Sequence, residues 1–380
     1  MLYRKKTYFC NMKYIGIRYA TAARMGRPLA EPDLQNVNDI TCRKVACPQS
    51  LSRLVRVMGD NPSQIEQSED CLRLSIFTPA ADEKKRPVLV FIHGGAFLTG
   101  SSVNDCYDAE SLSLQHNIVV VNISYRLGAF GFLYLPEQGA VNLGIQDQWC
   151  ALQWICRNIH LFGGDARQIT LMGQSAGGYS ILYHIANQSE SLFSKAIILS
   201  SPYLSYCEKT MRGRTLEYLH FLGKDPLEAS LEEILLAQQK LLAKHSRMMP
   251  FAPVSQSLIK PQHIHPALKA VRLTCQQDDA SPFAPRCIQP LATQLVFHQP
   301  MLRYARWMEK AGIETETKLL TWRHNQTPLG ATHCMELPLI FGNWEIWKET
   351  PFMRGVSQEE YTQRAAATKQ WIADFVSIRP

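Results

Sequence analysis

Apolar residues along the chain form short runs in which consecutive positions are apolar, with few alternating polar residues. Strands that are apolar on both faces are typical of parallel strands buried between two layers of helices. Other stretches repeat their apolar residues at helical spacing. The alternation of the two patterns predicts an α/β fold with a mostly parallel central sheet flanked by helices. The predicted strands are Leu72–Phe77, Val88–His93, Ile118–Ser124, Ile169–Gly173, Lys195–Ser200 and Lys318–Trp322, and the predicted helices are Gln146–Ile159, Gly177–Ile185, Met301–Ala311 and Glu359–Phe375.

The chain reads as a single domain over residues 1–380, because no internal repeat, low-complexity tract or Gly/Ser-rich linker divides it. Between Tyr203 and Lys269 the strand and helix alternation gives way to Leu-rich helical sequence, which includes Leu231–Leu242. We interpret residues 203–269 as a helical cap or lid inserted above the sheet.

Composition excludes several functional classes. The longest apolar runs are far shorter than the roughly 18 residues of a transmembrane helix, so no membrane span is expected. The net charge of +7 comes from scattered basic residues, with triplets only at Arg4–Lys6 and Lys84–Arg86. Nucleic-acid binding needs a clustered basic surface and is therefore not expected.

The N-terminal residues and the cysteines bear on the cellular compartment. Arg4–Lys6 resembles the start of a signal peptide, but polar residues follow where an apolar segment is required, so a cytoplasmic protein is expected. Secretion would follow if the true start lay upstream. The 11 cysteines show no CxxC or Cys/His metal spacing, which leaves a zinc site unsupported. We expect them to be buried, reduced thiols.

The strongest chemical motif is Gly173–Gly178, with the sequence Gly-Gln-Ser-Ala-Gly-Gly. It follows a predicted strand and opens a predicted helix, which is the context of a nucleophile elbow carrying an exposed serine, Ser175. Small neighbours are required there because the sharp turn packs its flanking backbone closely. The alternative is a serine that caps the helix behind a glycine turn.

A second Gly-rich motif, His93–Phe97, directly follows the strand that ends near Ile92. Such a loop donates backbone N–H groups to the oxyanion formed in ester hydrolysis. The N–H groups of Gly94, Gly95 and Ala176 would surround that charge. An ordinary tight turn is the alternative.

With these motifs the chain resembles the type-B carboxylesterases, a family of the α/β-hydrolase superfamily that includes the cholinesterases. The resemblance covers almost the whole chain and implies an α/β-hydrolase fold and serine-dependent hydrolysis of carboxylic esters. Its further motifs are Gly16–Ala20, Cys47–Gln49, Ser68–Leu72, Tyr125–Phe132, Gly144–Gln148, Ala151–Trp154, Asn158–Ile159 and Phe162–Asp165.

The resemblance also implies the other two members of a catalytic triad. The segment Gly330–Gly342 matches the family's histidine segment, which makes His333 the base. Gln276–Phe283 matches the acid loop and aligns Asp279 with the acid, with Asp278 as its rival. The chain is shorter than usual for the family, since only 53 residues separate Asp279 from His333, and a short strand near Val271–Cys275 precedes the acid loop. The implied mechanism forms an acyl-enzyme on the serine and needs no metal or cofactor.

The class of substrate can be narrowed from positions at which this chain differs from the cholinesterases. Cholinesterases carry a carboxylate before the serine and an aromatic residue in the loop between Cys47 and Cys71. This chain has neutral Gln174 and no aromatic residue in that loop, which disfavours choline esters. We expect a neutral ester of a short or medium-chain acid. Amide, carbamate or lactone hydrolysis on the same residues is an alternative, and so is a catalytically impaired binding protein.

The remaining expectations concern the substrate pocket and one cysteine pair. The pocket candidates are Phe97, Gln174, Tyr203, Met249 and Phe251, for which core packing is the alternative role. Cys47 and Cys71 match a loop disulfide of secreted relatives, and we expect them to be close in space and reduced. The sequence predicts no oligomeric state.

Overall fold

The computed structural model describes residues 12–51, 54, 58–59, 65–187, 190, 192–202, 206–245, 249–255, 264–324 and 329–378. An eight-stranded sheet lies at the centre, in the order β1-β2-β4-β3-β5-β6-β7-β8. The antiparallel pairs are β1 with β2 and β2 with β4, and the other neighbours are parallel. The strands are β1 (Met12–Arg18), β2 (Arg73–Thr78), β3 (Arg86–Ile92), β4 (Val119–Ile123), β5 (Gly164–Gln174), β6 (Lys195–Leu199), β7 (Ala270–Gln276) and β8 (Glu314–Leu320).

Helices pack on both faces of this sheet, as the apolar pattern predicts. All four predicted helices are present within a few residues of their predicted bounds, as α3, α4, α8 and α11. The arrangement is that of the α/β-hydrolase fold. The helices are α1 (Glu110–His116), α2 (Gly128–Phe132), α3 (Leu143–Asn158), α4 (Ala176–Asn187), α5 (Glu208–Leu222), α6 (Leu231–Lys244), α7 (Gln289–Thr293), α8 (Gln299–Lys310), α9 (Glu336–Phe341), α10 (Trp344–Trp347) and α11 (Gln358–Ser377).

Strand β3 illustrates why the core strands are apolar at consecutive positions. Val88, Val90 and Ile92 contribute to one hydrophobic cluster, whereas the intervening Leu89 and Phe91 contribute to the other. Successive side chains of a strand point to opposite faces, so both faces of β3 are buried beneath helices. Strands β3, β5 and β6 are parallel neighbours, so their carboxyl ends lie side by side at one end of the sheet.

Two edge strands differ from the sequence prediction. The strand predicted at Lys318–Trp322 is wrong in its bounds, because β8 begins four residues earlier and ends at Leu320. β8 is the outermost strand, and its exposed charged and threonine residues hide the apolar signal. Strand β1, at the opposite edge, was not predicted, because its mixed burial gives no continuous apolar run.

Helices α5 and α6 form most of the described part of the region expected to be a cap. They pack against each other, and the Tyr218 hydroxyl on α5 donates a hydrogen bond to the Ile234 carbonyl on α6 at 3.3 Å. Ser230 and Glu233 form a capping box at the start of α6. The Gln238 side chain accepts a hydrogen bond from the Ala129 N–H at 3.0 Å, which ties α6 to α2. A lid role for this region stays a prediction.

The cysteine expectation is only partly met. Cys42, Cys207 and Cys287 are exposed, so the expectation of uniform burial is wrong for them. Cys47 and Cys71 are buried and in contact, and the hydrogen bond between the two thiols, together with burial, raises the pKa of Cys71. Among the described residues no helix is long and apolar enough to cross a membrane, and no cluster of three or more His, Cys, Asp or Glu residues forms a metal-binding group.

Candidate active site

Ser175 lies at the turn between the end of β5 and the start of α4. Its backbone is left-handed, with φ +55°, its N–H donates to the Leu199 carbonyl at 2.8 Å, and 6% of its surface is exposed. A Cβ at Gly177 would lie 1.9 Å from the Ile92 carbonyl oxygen, so only glycine allows the helix to approach β3 this closely. A helix N-cap residue normally has an extended backbone, and the left-handed Ser175 therefore favours the elbow interpretation.

The Gly-rich loop after β3 closes onto this turn. A Cβ at Gly94 would lie 3.2 Å from Ser175 Cβ and 2.6 Å from Gln174 Oε1, which shows how closely the loop contacts the elbow. Gly95, Ala96 and Phe97 have consecutive positive φ angles of +100°, +58° and +61°. Three such residues in succession, two of them not glycine, are unlike an ordinary tight turn and are typical of a strained functional loop.

The buried side chain of His93 supports this loop, a role that the sequence motif does not predict. Its Nδ1 lies 2.8 Å from the Gly94 carbonyl oxygen, and its ring stacks on Tyr125 at 4.6 Å. Burial lowers the pKa of His93 to about 4, so the ring is neutral and donates through Nδ1. In a trans peptide the C=O and the following N–H point in opposite directions, so fixing the Gly94 carbonyl also fixes the direction of the Gly95 N–H.

The structure brings Asp279 and His333 together. Asp279 follows β7 and His333 precedes α9, and His333 Nδ1 lies 2.8 Å from Asp279 Oδ1. The other carboxylate oxygen, Oδ2, accepts hydrogen bonds from the Ser200 hydroxyl at 3.0 Å and from the Gln276 N–H at 2.7 Å. With three donors the buried Asp279 carboxylate is fully satisfied in a fixed orientation.

Asp278 points elsewhere. Its Oδ2 accepts a hydrogen bond from the Ala331 N–H at 2.9 Å, and its own N–H donates to the Ala331 carbonyl at 2.8 Å. Asp278 and Thr332 form an isolated parallel bridge. Asp278 thus ties the acid loop to the histidine loop, while Asp279 contacts the imidazole.

The surroundings of His333 favour its charged form. Burial by itself lowers the pKa of His333, but the neighbouring Cys334 and the hydrogen bond that His333 donates to Asp279 raise it, and the pKa lies well above the usual 6.5. Glu336 is buried nearby, and burial, reinforced by the charge of Asp279, raises its pKa to about 7. The rings of Phe283 and Phe297 both lie 5.2 Å from the His333 ring.

Sequence reasoning missed the residues that support the acid and the base. Ser200 is left-handed, with φ +46°, and carries the hydroxyl that contacts Asp279. Its position at the carboxyl end of β6, next to the elbow strand, was the available signal. Phe283 belongs to the predicted acid loop, and nothing in the local pattern indicates that its ring contacts His333.

The predicted pocket residues have different environments. Phe97 is fully buried and packs 4.8 Å from the Phe132 ring, and Phe251 is buried against Tyr218 at 5.9 Å, so both are core residues. Met249 is half-buried. Tyr203 lies outside the described residues. Among the described candidates, Gln174 is the one that contacts the predicted triad, because its side-chain nitrogen lies 3.2 Å from His333 Nε2.

Comparisons with known proteins identify the family of this chain. The model of the carboxylesterase family matches residues 4–269. The chain belongs to this family. A probable N-octanoylanthranilate hydrolase of Rhodococcus erythropolis is 35% identical over 405 aligned residues, covering 95% of this chain and 88% of that protein. The para-nitrobenzyl esterase of Bacillus subtilis is 37% identical over 243 residues, which cover 60% of this chain and 49% of the esterase.

The fold comparison agrees with the family membership. The solved structure of a thermophilic PNB esterase superimposes with a TM-score of 0.83 at 25% sequence identity, covering 96% of this chain and 87% of that one. This member of the carboxylesterase family is a carboxylic ester hydrolase with the α/β-hydrolase fold. The resemblance to type-B carboxylesterases read from the sequence is confirmed.

Proposed function

We propose that this carboxylesterase hydrolyses its ester through an acyl-enzyme on Ser175, with His333 as general base and Asp279 as the acid that orients it. The observation that carries the proposal is the 2.8 Å hydrogen bond between His333 Nδ1 and Asp279 Oδ1. It lies at the carboxyl ends of the strands, where Ser175 directly follows β5. This is the acid and base half of a serine hydrolase triad.

Each catalytic step uses groups of the candidate active site. Asp279 accepts a hydrogen bond from the Nδ1–H of His333, so the lone pair of the neutral ring is on Nε2. Nε2 removes the Ser175 proton as Oγ attacks the carbonyl carbon. The oxyanion is stabilised by the N–H groups of Gly95 and Gly94 and by that of Ala176, whose N–H has no acceptor within the first turn of α4. His333 then passes the proton to the departing alcohol, and water repeats the cycle on the acyl group.

The proposed substrates are neutral esters of short or medium-chain acids. The ring of Phe283, which is half exposed and lies 5.2 Å from the His333 ring, gives this part of the site an apolar surface suited to an alkyl chain. Amide hydrolysis is the second candidate. It is favoured by the relative named as an N-octanoylanthranilate hydrolase, since an N-acyl bond is an amide.

Covalent labelling tests the mechanism without assuming a substrate. A fluorophosphonate should modify wild-type protein at Ser175, as located by peptide mass spectrometry, and should not modify Ser175→Ala. Hydrolysis of p-nitrophenyl butyrate should fall by about 10⁴-fold or more in that variant. Labelling at another residue, or a tenth of the wild-type kcat remaining, would overturn the assignment. Paired esters and N-acyl anthranilates of equal chain length decide between ester and amide.

A further inference from the structure

His333, the base of the proposed triad, contacts the side-chain amide of Gln174, and the triad mechanism does not require this contact. Gln174 immediately precedes Ser175, and only 1% of its surface is exposed. Its Nε2 lies 3.2 Å from His333 Nε2. Its Oε1 faces the Gly-rich loop, because a Cβ at Gly94 would lie 2.6 Å from that oxygen. The Gln174 side chain therefore lies between the oxyanion loop and the base.

The direction of this contact follows from the other side of the imidazole. Asp279 has only acceptor oxygens and lies 2.8 Å from Nδ1, so Nδ1 carries the proton in the neutral ring. Nε2 then has a lone pair and no proton, and it accepts a hydrogen bond from the Gln174 amide. A donor directed at a ring nitrogen favours the form in which that nitrogen is unprotonated.

We propose that Gln174 is a positioning residue that acts through His333: its amide holds the imidazole unprotonated at Nε2, against the pull of the neighbouring acidic groups, and is displaced when Ser175 transfers its proton. This inference rests on the proposed function. It gives the residue before the nucleophile a role in setting the proton affinity of the base, distinct from lining the substrate pocket.

The titratable groups around His333 act in the opposite direction to the Gln174 contact. The titratable groups that face the imidazole are Asp279 on the acid loop, Cys334 on the histidine loop and Glu336 at the start of α9. Asp279 and Cys334 raise the pKa of His333, and a negatively charged Glu336 does the same. Gln174 is the group in the described part of this site that donates a hydrogen bond to the base nitrogen. A carboxylate at position 174 would join the acidic groups and reverse its effect.

The test is a pH titration of the His333 imidazole in the full-length protein without substrate. Proton NMR follows the Nδ1 proton shared with Asp279, which is shifted far downfield, in wild type, Gln174→Glu and Gln174→Met. The titration midpoint should rise by at least one pH unit in Gln174→Glu, because an anion replaces a donor. It should rise by less in Gln174→Met, which fills the same space without an N–H. Gln239→Glu adds the same charge on the exposed surface of α6, where the Gln239 amide contacts Ser50 and not the imidazole, and should leave the midpoint unchanged.

Each outcome decides the question. The order Glu above Met above wild type, matched by a shift in the acid limb of kcat/KM, supports the proposal. Equal midpoints in folded variants would overturn it, and so would a loss of kcat that is the same at every pH, because that pattern indicates a merely structural role. The titration needs no turnover, so it still reports on Gln174 if Ser175 fails to label with fluorophosphonate.

Discussion

Asp278 and Asp279 are adjacent carboxylates with different partners, and this difference gives a prediction for each. Asp279→Asn keeps the shape of the side chain but removes the charge that stabilises the His333 imidazolium, so kcat should fall by on the order of 10² to 10⁴. Asp278→Asn should leave kcat within several-fold of wild type and lower stability, because Asp278 accepts from the Ala331 N–H and contacts no ring nitrogen. Steady-state kinetics and urea unfolding of the two variants measure both effects. The reverse pattern would mean that the acid is Asp278.

The raised pKa of His333 makes a prediction about pH. The proposed base, His333, must be neutral to accept the serine proton, and a histidine whose pKa lies well above 6.5 stays protonated until the pH exceeds that raised value. Activity should therefore decline on acidification from a higher pH than an unperturbed histidine allows, with the midpoint of the acid limb of kcat/KM above 6.5. A profile with p-nitrophenyl acetate from pH 5 to 9 checks this, and a midpoint at or below 6.5 contradicts it.

At the scale of elements, the contact between α4 and β3 depends on one glycine. A Cβ at Gly177 would lie 1.9 Å from the Ile92 carbonyl oxygen, so Gly177→Ala should push the helix from the sheet and destabilise the protein by about 1–3 kcal/mol, as overpacking does. Gly213 on α5 has nothing within 4 Å of its Cβ position, and Gly213→Ala should stabilise the fold by about 0.5–1 kcal/mol. Chemical denaturation measures the pair. Equal effects in the two variants would show that the close approach is unimportant.

The strands of the central sheet differ in how clearly the sequence predicts them. The buried strands β3, β5 and β6 are recognisable because both of their faces are apolar, and their carboxyl ends carry the glycine motifs. Strands β1 and β8 lie at the sheet edges, where one side meets water, and their residues do not form apolar runs. Local pattern reports burial, and burial is incomplete at an edge.

Some residues of the candidate site can be predicted from the sequence, and others are revealed only by the structure. The elbow around Ser175 and the Gly-rich loop His93–Phe97 are each a contiguous motif with its own sequence signal, whereas His333 and Asp279 are predicted only through the family resemblance. Gln174 and Ser200 contact His333 and Asp279 across the fold, at separations of 159 and 79 residues. Such contacts depend on which strands are neighbours in the sheet, and no local pattern contains that information.

At the scale of the whole molecule, the Cys47 and Cys71 pair links stability to redox state. Both thiols are buried and in contact, so an oxidant should join them with little rearrangement. Closing that loop should stabilise the protein by up to about 3 kcal/mol in the chain-entropy model. Thiol counting before and after oxidation, with urea unfolding of each form, measures this, and Cys47→Ala is the control that cannot form the bridge. An unchanged unfolding midpoint in a protein with two fewer thiols would contradict it.

The hydrogen bonds between Asp278 and Ala331 have a consequence for how such an enzyme can evolve. They join the acid loop to the histidine loop directly, so the distance between Asp279 and His333 is set by the two ends of the intervening segment and not by its length. Insertions and deletions between the two loops can then accumulate while the hydrogen bond between Asp279 and His333 is retained. The 53 residues between them are, in that sense, a segment that can be replaced without moving the loops at its two ends.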